Sequence, residues 1–572
     1  MRRIPTFLMA IILALSVIFM LVALKSLLPK PPRVAAGGAL LCENDPNWLS
    51  RRNTPLYIVP HAEGRALMLY EMREWLERME PGGAHGKIQL GYTMGVLPLT
   101  LYTKKTGSWE IQTEDFEKDL AWAARQKRPF VVYVLSNHFA DTGTPLIEEL
   151  KHDARNMMTL RTPSAFKEDY FRTKLLPFTM SSDASIPVNH YKNRALAVIA
   201  QKLAAFDRAH PGLLIGIEMN GETHYLFPDF FTGTANVQTP QWMDYSDQAV
   251  QEFAEFLQQR GVTLPAEKIR DIPLDHYQAG YLPISGWLDD PTGQLNVEIY
   301  VDGLKKANAE KPINRLDVFE NPDSGVHEPN SGFSYMLDAS ALAHGRHVVQ
   351  AVVSYAGKRM EIGRREFTVG RDTPNHAADS SITTASLSGP FKGYLDQPLS
   401  GSQVHYEPLV REFLAFRAQQ VKQHIQKMAT FFHAEGFPAK RLFSYQLTPW
   451  LFGGWNEQLF GIGRDFFSMQ EVTPGVNLYG GNVANPHVFN YMDNTRGYAI
   501  PEMHPQMANA AGIIEKAMRY HYCKGAVFMG PYFVMLKQKK KYNEHARFRL
   551  SADNPDWGSA DFFRILSEMV KQ

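Results

Sequence analysis

Residues 130–137 read FVVYVLSN and residues 213–220 read LLIGIEMN, two short apolar runs that each end in a polar residue. Residues 194–210, between them, have the spacing of an amphipathic helix. Near-continuous apolar strands that alternate with helices are typical of a parallel sheet buried on both faces. The two runs therefore indicate an α/β fold.

The same alternation extends over most of the chain. Further strands are predicted at residues 56–61, 88–93, 442–447, 476–479, 498–502 and 526–529. Four strands precede a long interruption and four follow it. We therefore predict a (β/α)8 TIM barrel that is interrupted after strand four, with its halves at residues 51–280 and 403–572.

The interruption has a different pattern. Between residues 281 and 371 the strands alternate polar and apolar residues, as in NVEIYV at 296–301, which a turn at Asp302-Gly303 follows. Period-two runs with turn signals and no clear helix predict an inserted β-sandwich. Residues 372–402 are rich in Ser, Thr, Gly and Pro, which indicates a linker.

The amino terminus carries an apolar segment. Residues 7–24 contain no charge and, as a helix, span about 27 Å, close to the thickness of a bilayer core. We favour an uncleaved single-pass anchor with a cytoplasmic tip (residues 1–28), followed by a stalk (29–50). The alternative is a signal peptide cleaved near Val34-Ala35-Ala36. Basic residues on both flanks leave the orientation undecided.

Composition excludes several classes of function. The 60 basic and 59 acidic residues leave a net charge of +1, which gives no global field for nucleic acid. Two cysteines exclude a disulfide scaffold and a four-thiolate metal site. Without an H-E-x-x-H or G-x-G-x-x-G motif, we expect no metal and no cofactor. The sequence specifies no oligomeric state.

Two carboxylates follow predicted barrel strands. Glu222 comes after strand four and Glu502 ends strand seven, so both should face the mouth of one barrel, where catalytic residues of this fold lie. Cleavage of a glycosidic bond needs such a pair, one to protonate the leaving oxygen and one to attack or stabilise the anomeric carbon. The alternative is that either glutamate is an ordinary loop carboxylate.

Other residues at strand ends are candidates for binding a sugar. The polar candidates are Asn220, Asn137, His61 and His504, and the aromatic ones are Trp450, Trp455 and Tyr479. Aromatic faces stack on sugar rings, although ordinary packing explains them equally well. A basic run at residues 537–541 is either a solvated loop or a clamp for an anionic sugar.

Several longer stretches resemble a known group of enzymes. Residues 242–261 (WMDYSDQAVQEFAEFLQQRG), the helix at 406–436 and FSYQ at 443–446 resemble clan A glycoside hydrolases, particularly the β-galactosidase-type family 42. Residues 285–289 (SGWLD), 301–303 (VDG) and 331–334 (SGFS) are similar to bacterial immunoglobulin-like modules.

This resemblance implies a retaining mechanism with Glu222 as acid/base and Glu502 as nucleophile. One departure is that the family has Asn directly before the acid/base, whereas Gly221 separates Asn220 from Glu222 here, which leaves Glu218 as the substitute. The expectation is a membrane-anchored hydrolase of an oligo- or polysaccharide, with the barrel periplasmic or extracellular. The alternative is a catalytically silent carbohydrate-binding or polysaccharide-assembly protein.

The two cysteines, Cys42 and Cys523, precede strands one and eight, which are neighbours in a closed barrel. Both should therefore lie towards the bottom face. They form either a disulfide, which requires Cα atoms about 4.4–6.8 Å apart, or two buried thiols.

Overall fold

The structure of the 572-residue chain is a computed structural model. The residues that it describes are 42, 45–60, 73, 75–81, 83, 85–135, 144–161, 178–221, 226–227, 241–272, 280–290, 294–313, 315–319, 321, 324–328, 331–355, 357–370, 392–396, 403–405, 408–447, 450–451, 454–455, 464–479, 483, 497–504, 513–531, 554 and 559–571.

Eight parallel strands form a closed barrel. In chain order they are Leu56–Ile58, Ile88–Leu90 continued by Tyr92–Val96, Phe130–Val134, Leu214–Met219, Leu442–Ser444 continued by Gln446–Leu447, Val476–Tyr479, Tyr498–His504 and Ala526–Pro531. Each strand pairs with the next, and strand eight pairs with strand one, where Tyr57 lies opposite Phe528. The eight predicted strands are the eight observed ones. Below, "mouth" denotes the carboxyl ends of these strands and "base" their amino ends.

The interior of the barrel is filled by side chains from several strands. Val59, Val131, Phe443, Ala499 and Phe528 are fully buried in one cluster. Their sequence neighbours point outward into the larger core beneath the helices. The barrel is therefore packed solid below the mouth, and a ligand has room only above this layer.

A glycine allows the largest of these interior side chains to fit. A Cβ on Gly216 of strand four would lie 2.5 Å from the ring of Phe443. Any larger residue at 216 would displace the ring, because interiors pack at crystal-like density.

Helices cover the outside of the barrel. They are α1 (Glu114–Gln126), α2 (Pro145–Lys151), α3 (Pro187–Ala209), α4 (Asp247–Gln259), α5 (Ala266–Asp271), α7 (Pro408–Ala434), α8 (Ile513–Lys524) and α9 (Ser559–Val570), while α6 (Leu316–Phe319) belongs to the insertion. Smaller pairs of strands are Tyr102–Lys105 with Ser108–Ile111, Leu226–Phe227 with Gln241–Trp242, and Trp450–Leu451 with Gly454–Trp455.

The insertion is a β-sandwich. One sheet contains Glu310–Ile313, Gly332–Asp338, Tyr281–Asp289 and Lys392–Leu395, and the other contains Leu304–Asn308, Val297–Val301, Gly345–Tyr355, Lys358–Gly370 and Gln403–His405. Both sheets contribute to one apolar core, which includes Ile284, Phe333, Ile299 and Val349. At the predicted turn, Asp302 and Gly303 have φ of 51° and 77°, the left-handed values that a tight two-residue hairpin requires.

Part of the predicted linker is a strand instead. Lys392–Leu395 lies within residues 372–402 but pairs with Tyr281–Asp289, and Leu395 is 1% exposed in the sandwich core. Gln403–His405, predicted as barrel, pairs with Lys358–Gly370. Both strands are short, and each is held in the sandwich core by one buried residue, Leu395 or Val404. The polar composition around Lys392–Leu395 therefore indicated a linker, and Gln403–His405 was too short to be recognised as the last strand of the sandwich.

Helix α7 carries the sandwich on the mouth side of the barrel. His424 of α7 lies against Lys192, in the second turn of α3. A helix that follows a parallel strand begins at the mouth. The sixteen residues of α7 before His424 span about 24 Å, so α7 begins about 17 Å beyond the start of α3, which lies only five residues before Lys192. At that extended end, Arg411 forms an ion pair with Asp338 of the sandwich, and its guanidinium lies 4.6 Å from the centre of the Tyr281 ring.

Among the described residues, no helix combines the length and the hydropathy needed to cross a bilayer. The predicted anchor at residues 7–24 lies outside them.

The structure decides between the two alternatives for the cysteines. Cys42 and Cys523 form a disulfide, with Cα atoms 5.7 Å apart. Cys523 lies at the end of α8, directly before strand eight, so the bond fastens the amino-terminal segment to the base. A cross-link between residues 481 apart closes a very long loop in the unfolded chain.

We expect reduction to lower the free energy of unfolding by about 2–5 kcal/mol, because it releases this loop. Urea unfolding with and without reductant measures the change. The matched control is the double variant Cys42→Ser/Cys523→Ser, whose stability should not respond to reductant. Two titratable thiols in the unreduced, denatured protein would contradict the disulfide.

A buried lysine, Lys192, lies between α3 and α7. Lys192 is 3% exposed, and burial lowers the pKa of its ammonium from 10.5 to about 7. Burial, and then the charge of Lys192, lower the pKa of His424 well below 6.5. Burial therefore favours the neutral form of both groups in the folded protein.

We expect the free energy of unfolding to rise as the pH is raised from 7 to 10, by up to about 4 kcal/mol. In this window the Lys192 amine is neutral when folded and protonated when unfolded, so the unfolded state binds the extra proton. The variant Lys192→Met should lose this slope, whereas Lys202→Met, on the same helix but partly exposed, should keep it. Parallel pH curves for the wild type and Lys192→Met would contradict the assignment.

Candidate active site

Glu502 lies at the mouth, inside the barrel. The pairing of strands seven and eight shifts register between Ile500 and Met503, which interrupts the alternation of side chains at this point. The hydroxyl of Tyr445, on strand five, donates a hydrogen bond to the Glu502 carboxylate. Because strand six separates strands five and seven, this bond crosses the inside of the mouth.

A second tyrosine supports the first. The rings of Tyr133, on strand three, and Tyr445 meet edge to face with centroids 5.0 Å apart. Such a pair stabilises by about 0.5–1.5 kcal/mol beyond the burial of its area. The two rings thus form a continuous wall from strand three to strand five, which ends at the carboxylate of Glu502.

Strand four leaves the barrel through a sharp turn at this wall. Asn220 has φ of 65°, in the left-handed region, and its N–H donates to the carbonyl of Val134. A Cβ on Gly221 would lie 2.3 Å from the Tyr133 hydroxyl and 2.8 Å from Leu135 Cδ1. Only glycine therefore fits at residue 221.

Glu218 lies deeper than this turn. It is fully buried and pairs in register with Tyr133 on one side and Phe443 on the other. Because Asn220 is two residues further along the same strand, Glu218 lies one layer below the mouth. Its position makes it a neighbour of the tyrosine wall.

Several candidates lie outside the described residues. They are Glu222, Asn137 and His61, together with the basic run at 537–541. The backbones of Trp450, Trp455 and Tyr479 are described, but their side chains are not.

The remaining candidates lie at the mouth. His504, 2% exposed, ends strand seven and is opposite Tyr479 of strand six in register. The hairpin Trp450–Leu451/Gly454–Trp455 follows strand five and lies beside the sandwich strands Tyr281–Asp289 and Gly332–Asp338. The sandwich therefore adjoins the loop that carries the two tryptophans.

The site contains polar residues that sequence reasoning missed. They are Tyr133 and Tyr445, which form its wall. In the sequence, the only signal for these residues was a polar side chain near the end of an otherwise apolar strand. Without the barrel register, nothing connected Tyr445 to a glutamate 57 residues away.

The histidines and acidic residues of the described ranges form no metal site. Within those ranges, no group of three or more His, Cys, Asp or Glu side chains is placed to hold a metal ion. His521, near Cys523, is packed in the core against the Tyr498 hydroxyl and the Val483 carbonyl, and burial lowers its pKa to about 4. It is therefore a neutral structural histidine at physiological pH.

Comparison with known proteins finds similarity among solved structures. No protein-family model and no curated protein matches the chain. A solved structure that it resembles is the catalytic domain of the β-amylase from Paenibacillus polymyxa, with a TM-score of 0.44 and 8% identity over 91% of this chain and 100% of the other. The barrel itself is established by its own strand pairing, and the geometry of the site supports the function proposed below.

We expect Gly221→Ala to lower the free energy of unfolding by about 1–3 kcal/mol, because the added methyl group collides with the Tyr133 hydroxyl. In a Tyr133→Phe background the cost should be smaller, since the hydroxyl is gone. Gly370→Ala is the matched control, because a Cβ there meets nothing within 4 Å. Equal costs of Gly221→Ala in both backgrounds, by urea unfolding, would contradict this contact.

Proposed function

We propose that this protein is a membrane-anchored glycoside hydrolase that acts on an oligo- or polysaccharide outside the cytoplasm by a retaining two-carboxylate mechanism. The observation that carries the proposal is Glu502 at the end of barrel strand seven, held by Tyr445 across the mouth. The resemblance to clan A and family 42 in the quoted sequence stretches agrees with this position.

In this proposal, Glu502 is the nucleophile. Its carboxylate attacks the anomeric carbon while the bond to the leaving oxygen breaks, and Glu222 donates a proton to that oxygen. Water then attacks the anomeric carbon, gives its proton to Glu222 and releases Glu502. The hydrogen bond from Tyr445 fixes the orientation of the attacking carboxylate.

The turn at Asn220 and Gly221 supports Glu222 as the acid. It directs the chain out of strand four at the mouth, immediately before residue 222. Glu218 is the weaker candidate, because it is fully buried one layer below.

Two further observations support the substrate class and the compartment. The sandwich lies on the mouth side, next to the loop with Trp450 and Trp455, where a long glycan would extend. The disulfide between Cys42 and Cys523 is of a kind that persists in oxidising compartments, which favours a barrel in the periplasm or outside the cell.

The test is hydrolysis of a polysaccharide panel by the full chain. We expect Glu502→Gln to reduce turnover by at least about 10³-fold while the unfolding curve stays unchanged, because the amide is nearly isosteric but cannot attack. Glu435→Gln, on the base side, is the matched control. Wild-type turnover in Glu502→Gln would remove this residue from the mechanism.

Leaving-group dependence separates the two possible acids. Loss of the proton donor should slow substrates with poor leaving groups most, since only these need the proton. We expect this pattern for Glu222→Gln and not for Glu218→Gln. The opposite pattern would assign the acid to Glu218, and a wild type inactive on every substrate would favour the silent carbohydrate-binding alternative.

A further inference from the structure

The base of the barrel holds the start of the described chain. Besides the disulfide, Trp48 packs edge to face on Tyr522 of α8 with centroids 4.9 Å apart. Arg52 donates to the carbonyls of Tyr522 and Ala526 at 3.1 and 2.7 Å. The described chain therefore begins, at Cys42, on the face opposite to the mouth.

Exposed cations lie along one side of the barrel base. Arg125 is in the last turn of α1, Lys127 follows it, Arg208 is in the last turn of α3, and Lys440 directly precedes strand five. All four side chains are exposed, and none of them is in an ion pair with another described residue. We call these four residues the basic rim.

The carboxylates of this face neutralise other cations. Asp45 pairs with Arg51, Asp207 with Arg441, Glu80 with Arg128 and Glu568 with Arg564. Glu77, Glu435 and Glu471 are the other described carboxylates near the base. Cations at helix ends favour the helix dipole, which applies to Arg125 and Arg208. Lys127 follows the last residue of α1, and Lys440 belongs to the single 3-10 turn Ala439–Arg441.

The basic rim is continuous over one side of the barrel base. Its residues precede strands three, four and five, which are consecutive neighbours. Arg441, next to Lys440, binds Asp207, next to Arg208, so two of these loops touch. Because the whole chain carries only +1, this concentration of positive charge is local.

We propose that the basic rim docks on anionic lipid headgroups, so that the base lies on the bilayer and the mouth faces away from it. This inference rests on the membrane anchor of the proposed function. The stretch between the apolar segment and Cys42, residues 25–41, can reach at most about 60 Å, so the tether alone allows both docked and undocked barrels. The charge of the rim favours the docked barrel. Each Lys or Arg within a Debye length of an anionic surface stabilises contact by about 1 kcal/mol, which raises the docking equilibrium constant about fivefold.

The experiment uses the full chain in nanodiscs of phosphatidylcholine, with or without phosphatidylglycerol. A thiol-reactive fluorophore is placed at Ala434→Cys, an exposed position near the rim, or at Asn308→Cys, an exposed position on the sandwich. Quenching by headgroup spin labels reports which label is near the lipid. We expect the label at residue 434 to be quenched several-fold more in anionic than in neutral discs, and the label at residue 308 to be quenched in neither.

Charge reversal provides the matched pair of variants. Reversal of the rim (Arg125→Glu, Lys127→Glu, Arg208→Glu and Lys440→Glu) should reduce quenching at residue 434 to the level in neutral discs, as should high salt. Reversal of four exposed sandwich cations (Lys305→Glu, Lys306→Glu, Arg346→Glu and Arg359→Glu) should leave it unchanged.

Three results would overturn the inference. One is equal quenching at residue 434 in both lipids, and another is stronger quenching at residue 308. The third is a rim that binds a soluble anionic polysaccharide but does not respond to phosphatidylglycerol. Because none of these readouts depends on hydrolysis, docking and the proposed activity can fail independently, and a chain that does not enter nanodiscs refutes the anchor itself.

Discussion

The pairing of barrel strands one and eight is the contact on which the rest of the structure depends. The two strands are more than 450 residues apart in sequence, and Tyr57 and Ile58 pair with Phe528 and Met529 to close the barrel. The closure is reinforced at the base by Arg52, which donates to carbonyls on both sides of it, and by the disulfide. The entropic cost of joining such distant segments is met by many small contacts and one covalent bond.

Closure also creates the candidate site. Tyr445 and Glu502 are on strands that do not pair with each other, so only a closed curve brings the hydroxyl to the carboxylate. The same curvature places Tyr133 against Tyr445 and leaves no room for a side chain at residue 221. Each of these contacts at the mouth is therefore a consequence of the barrel radius rather than of local sequence.

This dependence explains how far the sequence alone could lead. All eight barrel strands were predicted, because strands buried on both faces must be apolar and such runs are visible without any knowledge of pairing. Helix α7 and the hairpin at Asp302-Gly303 were visible through period and turn chemistry. Glu502 was found because the predicted strand at residues 498–502 ends with it.

Features that depend on contacts between distant strands were not predictable in the same way. Tyr445 looked like one more residue of an apolar strand, and the strand Lys392–Leu395 looked like linker, because their partners are distant in sequence. Cys42 and Cys523 could be placed on one face by topology, but whether their Cα atoms lie within bonding range is a matter of ångströms.

Parallel strands give the barrel two chemically different ends. The carboxyl ends of the strands meet at the mouth, where strand seven contributes Glu502 and strands three and five contribute the tyrosine wall. The helices that follow these strands end at the base, where their carboxyl-terminal dipoles favour cations. The disulfide of Cys42 fixes the start of the described chain at that end, opposite to Glu502 and the tyrosine wall. The direction of the strands thus places the candidate site and the attachment of the amino-terminal segment at opposite ends of the barrel.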